Sequence, residues 1–538
     1  MSLRFRRFDN KTYAAVFFLL FGLIFVRYCY YGFEYYLQLD DYIQYHNYTA
    51  YSSDLTALIK NLGLLSARPL AGLADIYMWS SFYGCMIVAV GIISAMYAAS
   101  AVLLHKVFAE RLGTGWLFFV VYALLPIAFE GSYWVSASSR IIVGLFFASA
   151  ALLCFDSWCR QGGKLCLVSF AVLQLLAFCL YEQIVLFSGA ATLIIMLFCI
   201  KPHEKRGLWG FWMFANAAIY LVITKLAPAG INAARSAMYF PWQEGYWQNL
   251  FFPLNYQLEQ AFVGGNAATC GKGLLRGFEL LFREPNVIYV IIILALCALL
   301  FFLSRGVRRS SVSVVAELVS GLFLAVAPVL VFYILKDAWF GARNVVPSLC
   351  GLALIADAVF DLIFGRLKKG ATIQAAIVSV LALLCCVASV SELHDYRETY
   401  LADSAVTSAA SNALADSEFS GEGAILLLNV DASYVTDANF YYHEHGYGVT
   451  SSDWALTGAV RAVSGRGDLP MLSPVSKYRP YITDEAALSK ARAFFYSGGE
   501  FFPVTLKNGG DNIWNVEHGG QSLGILRGTD GGYFLEIS

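Results

Sequence analysis

Residues 165–200 read LCLVSFAVLQLLAFCLYEQIVLFSGAATLIIMLFCI, 36 residues with a single charged side chain, Glu182, near their centre. A helix crosses a bilayer in about 20 apolar residues. This run is therefore read as two spans, 165–180 and 184–200, divided at Tyr181-Glu182-Gln183. Left undivided, it would move every later segment to the other side of the membrane. Outward from it lie nine more apolar runs, at 13–33, 82–104, 115–129, 141–155, 208–227, 286–303, 314–335, 344–364 and 371–391, which makes eleven.

Composition agrees with a lipid setting. Of 538 residues 58% are hydrophobic and only 14% charged, where a soluble domain carries about a quarter charged. Lys and Arg in short loops collect on the cytoplasmic side, and that rule tests the division at Glu182. With eleven spans the cytoplasmic pieces, 1–12, 105–114, 156–164, 201–207, 304–313 and 365–370, hold 17 Lys and Arg in 54 residues. The opposite loops before residue 392 hold 9 in a much longer total. The N-terminus is thus expected in the cytoplasm. The first run follows a basic start but is about 21 residues long and has no small-residue cleavage pattern, so it is read as an uncleaved span. Eleven of the 12 cysteines lie in or beside spans, which leaves no disulfide framework. Nothing in the composition suggests nucleic-acid binding.

The expected fold is an all-α polytopic membrane domain over 1–391, with about 11 transmembrane helices and long exterior loops at 34–81 and 228–285, followed by a small mixed α/β extracytoplasmic domain over 392–538. In the first loop Leu55, Leu58, Ile59, Leu62 and Leu65 repeat at helical spacing, as in a helix lying along a membrane surface. The terminal domain carries 19 acidic and 9 basic residues. Its pattern predicts helices over Ser391–Asp416 and Asp484–Tyr496, and strands at Ala424–Val430, Phe501–Leu506 and Tyr533–Ile537.

Ionisable residues at membrane depth suggest function. Asp40, Asp41, Arg68, Asp75, Glu130, Arg140, Glu182, Arg235, Lys336, Asp337 and Arg343 all fall near span ends on the exterior side. In Leu39-Asp40-Asp41-Tyr42 one carboxylate suits removal of a proton from a hydroxyl, and the second suits orienting the first or binding a divalent cation such as Mg or Mn. A solvated loop start would use the same residues. Arg68, Arg140 and Arg343 offer guanidinium forks that match phosphate oxygens; interfacial anchoring or pairing with a nearby acid is the plainer reading. Glu182 marks either a tight exterior turn or a mid-span residue paired inside the bundle. Glu130 heads Glu130-Gly-Ser-Tyr-Trp134, whose aromatics suit sugar stacking and equally a membrane interface. His443-Glu444-His445 is spaced too closely for a helical zinc motif.

An acidic pair soon after the first span, a long first exterior loop with a surface helix, arginines at later span ends and an exterior C-terminal domain together resemble the GT-C superfamily of membrane glycosyltransferases. Asp40-Asp41 followed by Arg68-Pro69-Leu70 is most similar to the bacterial GtrII-type glucosyltransferases. The resemblance covers residues 1–390 in architecture and only short motifs in sequence. It implies a multi-pass bacterial plasma-membrane enzyme. Its donor would be a polyprenyl-phosphate sugar, and its acceptor a surface polysaccharide, teichoic acid or glycolipid. It also implies Asp40 or Asp41 as general base in an inverting transfer, with Arg68, Arg140 and Arg343 on the leaving phosphate and Glu130 and Glu182 lining the substrate site. Two other classes are consistent with the charges: a lipid-linked-sugar flippase or transporter, and a non-catalytic partner whose exterior domain binds cell-wall polymer.

Overall fold

The computed structural model describes residues 8–43, 54–199, 205–230, 237–305, 314–364, 370–415, 424–433, 443–482 and 485–537. Arg235, most of the basic N-terminus and the basic stretches 306–313 and 365–369 lie outside the described residues. Of the described residues 71% are helical. It divides into two compact units, one of residues 1–35 and 56–393, the other of 36–55 and 394–538.

Among the described residues seven helices are long and apolar enough to cross a membrane: Trp79–Leu112, Val135–Gln161, Lys205–Leu226, Val287–Ser304, Val314–Ile334, Ala342–Phe364 and Gly370–Leu414. The last runs on past the unit boundary at Leu393. Four shorter apolar helices, Asn10–Val26, Leu117–Tyr133, Lys164–Phe178 and Glu182–Phe198, stand where the sequence places the remaining runs. On Val287–Ser304 the side chains of Ile288, Ile291, Leu294, Leu299 and Phe302 point outward. An apolar outer surface of that extent marks contact with lipid or with protein.

The run at 165–200 is two helices that turn back on each other. Gln174 Nε2 donates to Ser188 Oγ at 3.0 Å and to Thr192 Oγ1 at 3.4 Å. In one continuous helix Gln174 and Ser188 would be about 21 Å apart. The break falls at Cys179–Tyr181. A second break divides Leu117–Tyr133: Leu117–Leu124 ends before Pro126, a 3-10 turn follows over Pro126–Ala128, and Phe129–Tyr133 resumes. Proline forces the residue before it out of helical geometry, and Leu125 is extended at φ −55°, ψ 125°. The loop expected over 228–285 contains substantial helix, in alternating α and π turns from Trp247 to Arg283. Leu55–Ala57 and Leu58–Leu62 form the short helix expected in the first loop; it stops at Gly63, whose φ of 73° is left-handed.

In the second unit a seven-stranded sheet runs β2-β1-β3-β4-β5-β6-β7, with β1 Ile425–Leu428, β2 Leu472–Val475, β3 Arg492–Ser497, β4 Glu500–Gly510, β5 Ile513–His518, β6 Gln521–Thr529 and β7 Gly532–Ile537. Strands β1, β2 and β3 are parallel and the rest form an antiparallel meander. The core gathers Leu426, Leu428, Val475, Phe495, Trp514, Val516, Leu526 and Leu535. The helix expected over Asp484–Tyr496 is corrected: only Glu485–Leu488 is helical, and Arg492–Ser497 is β3, whose Phe494-Phe495-Tyr496 suits a pleated surface.

Candidate functional site

Helix Pro69–Tyr77 opens with Pro69 at its first position, where a missing N–H costs nothing, so Arg68 stands at its N-cap. Two bonds hold this start: Leu70 N–H donates to the Cys179 carbonyl at 3.0 Å, and Tyr220 OH donates to the Ala67 carbonyl at 2.8 Å. Arg68 is thereby fixed against the Cys179–Tyr181 break. Its Nε donates to Glu182 Oε2 at 2.7 Å and an Nη to Oε1 at 2.5 Å, a two-pronged pair. Its guanidinium also lies over the Tyr181 ring, 4.3 Å from the centroid. The side chains of Arg68 and Glu182 keep 29% and 19% of their exposure, so the pair is sheltered without being sealed.

Two turns along the same helix, buried Asp75 accepts from an Nη of Arg140 at 2.7 Å. Arg140 belongs to the first turns of Val135–Gln161, which packs against Glu182–Cys199 through Gly144, where a Cβ would meet Ile184 at 3.1 Å. The third arginine arrives from the 3-10 segment Ala342–Ser348. Asn344 Nδ2 donates to Tyr181 OH at 2.6 Å, and Gln183 Nε2 donates to the Asn344 carbonyl at 3.1 Å, so this segment is tied to the same break. Arg343 lies over the Trp134 ring, 5.0 Å from its centroid.

Of the sequence candidates, Arg68 therefore lies on the Tyr181 ring and pairs with Glu182, Arg343 adjoins the Asn344 that bonds the Tyr181 hydroxyl, and Arg140 pairs with Asp75 on the helix that Arg68 heads. Glu130 is buried on the short helix beside them, and its neighbour Gly131 lies against the Arg343 segment, where a Cβ would sit 2.6 Å from Val346 Cγ2 and 2.7 Å from the Arg343 carbonyl oxygen. Glu182 heads its own helix just after a break in the chain and is paired with Arg68, so it combines the turn of one sequence reading with the pairing of the other. Arg68 and Arg140 are each paired with an acid, which the plainer sequence reading of these arginines anticipates.

Asp40 and Asp41 belong to the second compact unit. They sit in the 3-10 turn Leu39–Tyr42. Asp41 is buried and its Oδ2 accepts the Gln38 N–H at 3.0 Å, closing its own turn. Gln38 Nε2 in turn donates to the Tyr396 carbonyl at 3.1 Å. Asp40 is half-buried. Among the described residues no group of three or more His, Cys, Asp or Glu is placed to hold a metal ion, and His443 is buried.

Sequence reasoning does not single out Tyr181, Asn344, Gln183 and Arg27. Asn344 and Gln183 are neutral, and only packing reveals them. Arg27 had a signal, since a cation within an apolar run is itself conspicuous. No family model matches the chain, and no curated protein matches it in sequence.

Proposed function

We propose that this protein is a membrane glycosyltransferase that moves a sugar from a polyprenyl-phosphate carrier to a hydroxyl of a cell-surface polysaccharide, teichoic acid or glycolipid on the extracytoplasmic side. The observation that carries the reading is the approach of three arginines to the Cys179–Tyr181 break: Arg68 on the Tyr181 ring and paired with Glu182, Arg343 beside the Asn344 that bonds Tyr181, and Arg140 paired with Asp75 on the Arg68 helix. Glu182 and Asp75 hold two of these guanidinium groups in place. In Arg68 the Nε and one Nη are committed to Glu182. The other Nη has no hydrogen-bond partner among the described residues and suits a phosphate oxygen.

In the reaction the acceptor oxygen attacks the anomeric carbon, the bond from that carbon to the lipid phosphate oxygen breaks, and the phosphate leaves with the electron pair. Arginines fixed beforehand stabilise the charge growing on it without reorganising at the moment of transfer. The acceptor proton goes to a carboxylate, and the resemblance assigns this to the Asp40-Asp41 pair.

Broken apolar segments at Leu125-Pro126 and Cys179–Tyr181 favour one rival, a lipid-linked-sugar flippase, since transporters build sites from discontinuous helices. Reconstitution with a polyprenyl-phosphate sugar labelled in the sugar separates the two. The enzyme releases sugar to acceptor, and replacing both Asp40 and Asp41 with Asn lowers turnover at least ~100-fold; intact lipid crossing the bilayer without cleavage supports the flippase. Full turnover in Asp40→Asn, Asp41→Asn and the double variant would reject the base.

A further inference from the structure

Arg27 directly follows the first apolar helix, Asn10–Val26, and is fully buried. Among the described residues no carboxylate pairs with it, and its Nε has no hydrogen-bond partner. A buried cation without a counter-ion is unfavourable, so its neutral partners matter. One Nη donates to the Leu124 carbonyl at 3.2 Å, the last residue of Leu117–Leu124. The negative end of a helix favours a cation there. The other Nη donates to Tyr28 OH at 2.6 Å and to Ser132 Oγ at 3.0 Å, and Tyr28 OH donates to the same Ser132 Oγ at 2.8 Å. The guanidinium thus joins the two sides of the break at Pro126: Leu124 before it and Ser132 after it. Aromatic packing strengthens the clamp, with the Tyr28 ring 5.2 Å from Phe129 and 5.1 Å from Tyr133, and Tyr35 OH accepts the Val135 N–H at 2.8 Å.

The turn held in this way is the one on which Arg343 rests. Gly131, adjacent to Ser132, lies against the Arg343 backbone, and Trp134, two residues beyond Ser132, lies under the Arg343 guanidinium. Trp134 is fully buried, so its ring has little freedom to follow if the turn shifts. We infer that Arg27 is a positioning residue: by bridging Leu124 and Ser132 it fixes the Glu130–Trp134 turn and through it the placement of Arg343. This rests on the reading of Arg343 as a phosphate-binding arginine for its functional meaning, but not for its structural content.

The two are separated by hydrogen exchange on the full-length protein in detergent, with and without farnesyl phosphate and with farnesol as the uncharged control. Arg27→Met is expected to raise amide exchange about tenfold in both 129–135 and 342–348 while helices such as Val287–Ser304 keep their protection. Arg27→Lys, whose single ammonium does not span both oxygens, falls between the two, and Ser132→Ala reproduces the effect in milder form should Arg27→Met not fold. Exchange that rises only within 24–30, or evenly over all helices, overturns the inference. Wild-type protection of 342–348 by farnesyl phosphate and not by farnesol, weakened in Arg27→Lys and Ser132→Ala, completes the link to Arg343. Equal effects of the two ligands on the wild type would reject the phosphate reading, while the ligand-free exchange still decides the role of Arg27.

Discussion

At the scale of single residues, the consequential pairing is that of Arg68 with Glu182. Sequence marks both as unusual, Arg68 by its place before Pro69 and Glu182 by its isolation among apolar residues, but they are 114 positions apart and nothing local joins them. The contact depends on the chain reversing at Cys179–Tyr181 and on Tyr220 anchoring Ala67. Asp403 was passed over for a similar reason, since a lone acid on a helix reads as a solvated one. It lies in the second unit, well past the apolar stretch that ends near Ser391, and is 2% exposed. Burial pushes its carboxyl up to about 7, against the opposing effect of hydrogen bonds from Ser433 Oγ and the Val449 and Thr450 N–H groups. An acid whose pKa is higher folded than unfolded takes up a proton on folding between the two values. Stability from this group is therefore fully present below about pH 4 and falls as pH rises toward 7, by at most about 4 kcal/mol. Thermal unfolding of wild type and Asp403→Asn across pH 4–8 checks this: the wild type should lose stability relative to the variant over that window, and parallel curves would count against it.

At the scale of elements, hydrophobic run length located the apolar helices and the Glu182 break, because lipid-facing helices must be apolar along their length and a charge is conspicuous there. Interruptions by proline and by π turns were less legible: the break at Pro126 falls inside a run read as one span, and 247–283 has too mixed a pattern to separate helix from loop. In the second unit the sequence pattern does not reveal β2, β5, β6 or the helix Asp453–Ser464. Half-buried meander strands such as Ile513–His518 alternate over so few residues that their period is hard to read. Helix contacts in the first unit also turn on small residues. Gly321 and Gly351 bring Val314–Val326 and Leu349–Phe364 to backbone contact, and a Cβ at Gly351 would collide with the Gly321 carbonyl and the Ala325 nitrogen. Close helix approach through glycine is a common way of packing where no hydrophobic effect separates protein from lipid. Gly351→Val is predicted to destabilise the protein by about 1–3 kcal/mol, read as a lower midpoint in thermal unfolding in detergent; an unchanged midpoint would show that the two helices separate at little cost.

At the scale of the whole molecule, the segregation of charge organises the account. Basic residues collect in the stretches 105–114, 156–164 and 201–207, and in the structure the last turns of Met86–Leu112 and Val135–Gln161 knit some of them together: Asp156 bridges Arg111 and Arg160, and Arg160 also reaches Glu110. Arg68, Arg140 and Arg343 are each held by an acid or an aromatic ring. Loop charge gives these residues one expected side, but their neighbourhood depends on two broken helices and on the contacts of Asn344 and Gln183, which no local pattern reveals. The central claim is that this cluster recognises the phosphate of a lipid carrier. The direct measurement is native mass spectrometry of the full-length protein released from bilayer nanodiscs, titrated with a polyprenyl phosphate and with the matching polyprenol. The account predicts at least ~10-fold tighter binding of the phosphate, with the preference lost in Arg68→Gln and Arg343→Gln; equal retention of both lipids by the wild type would contradict it.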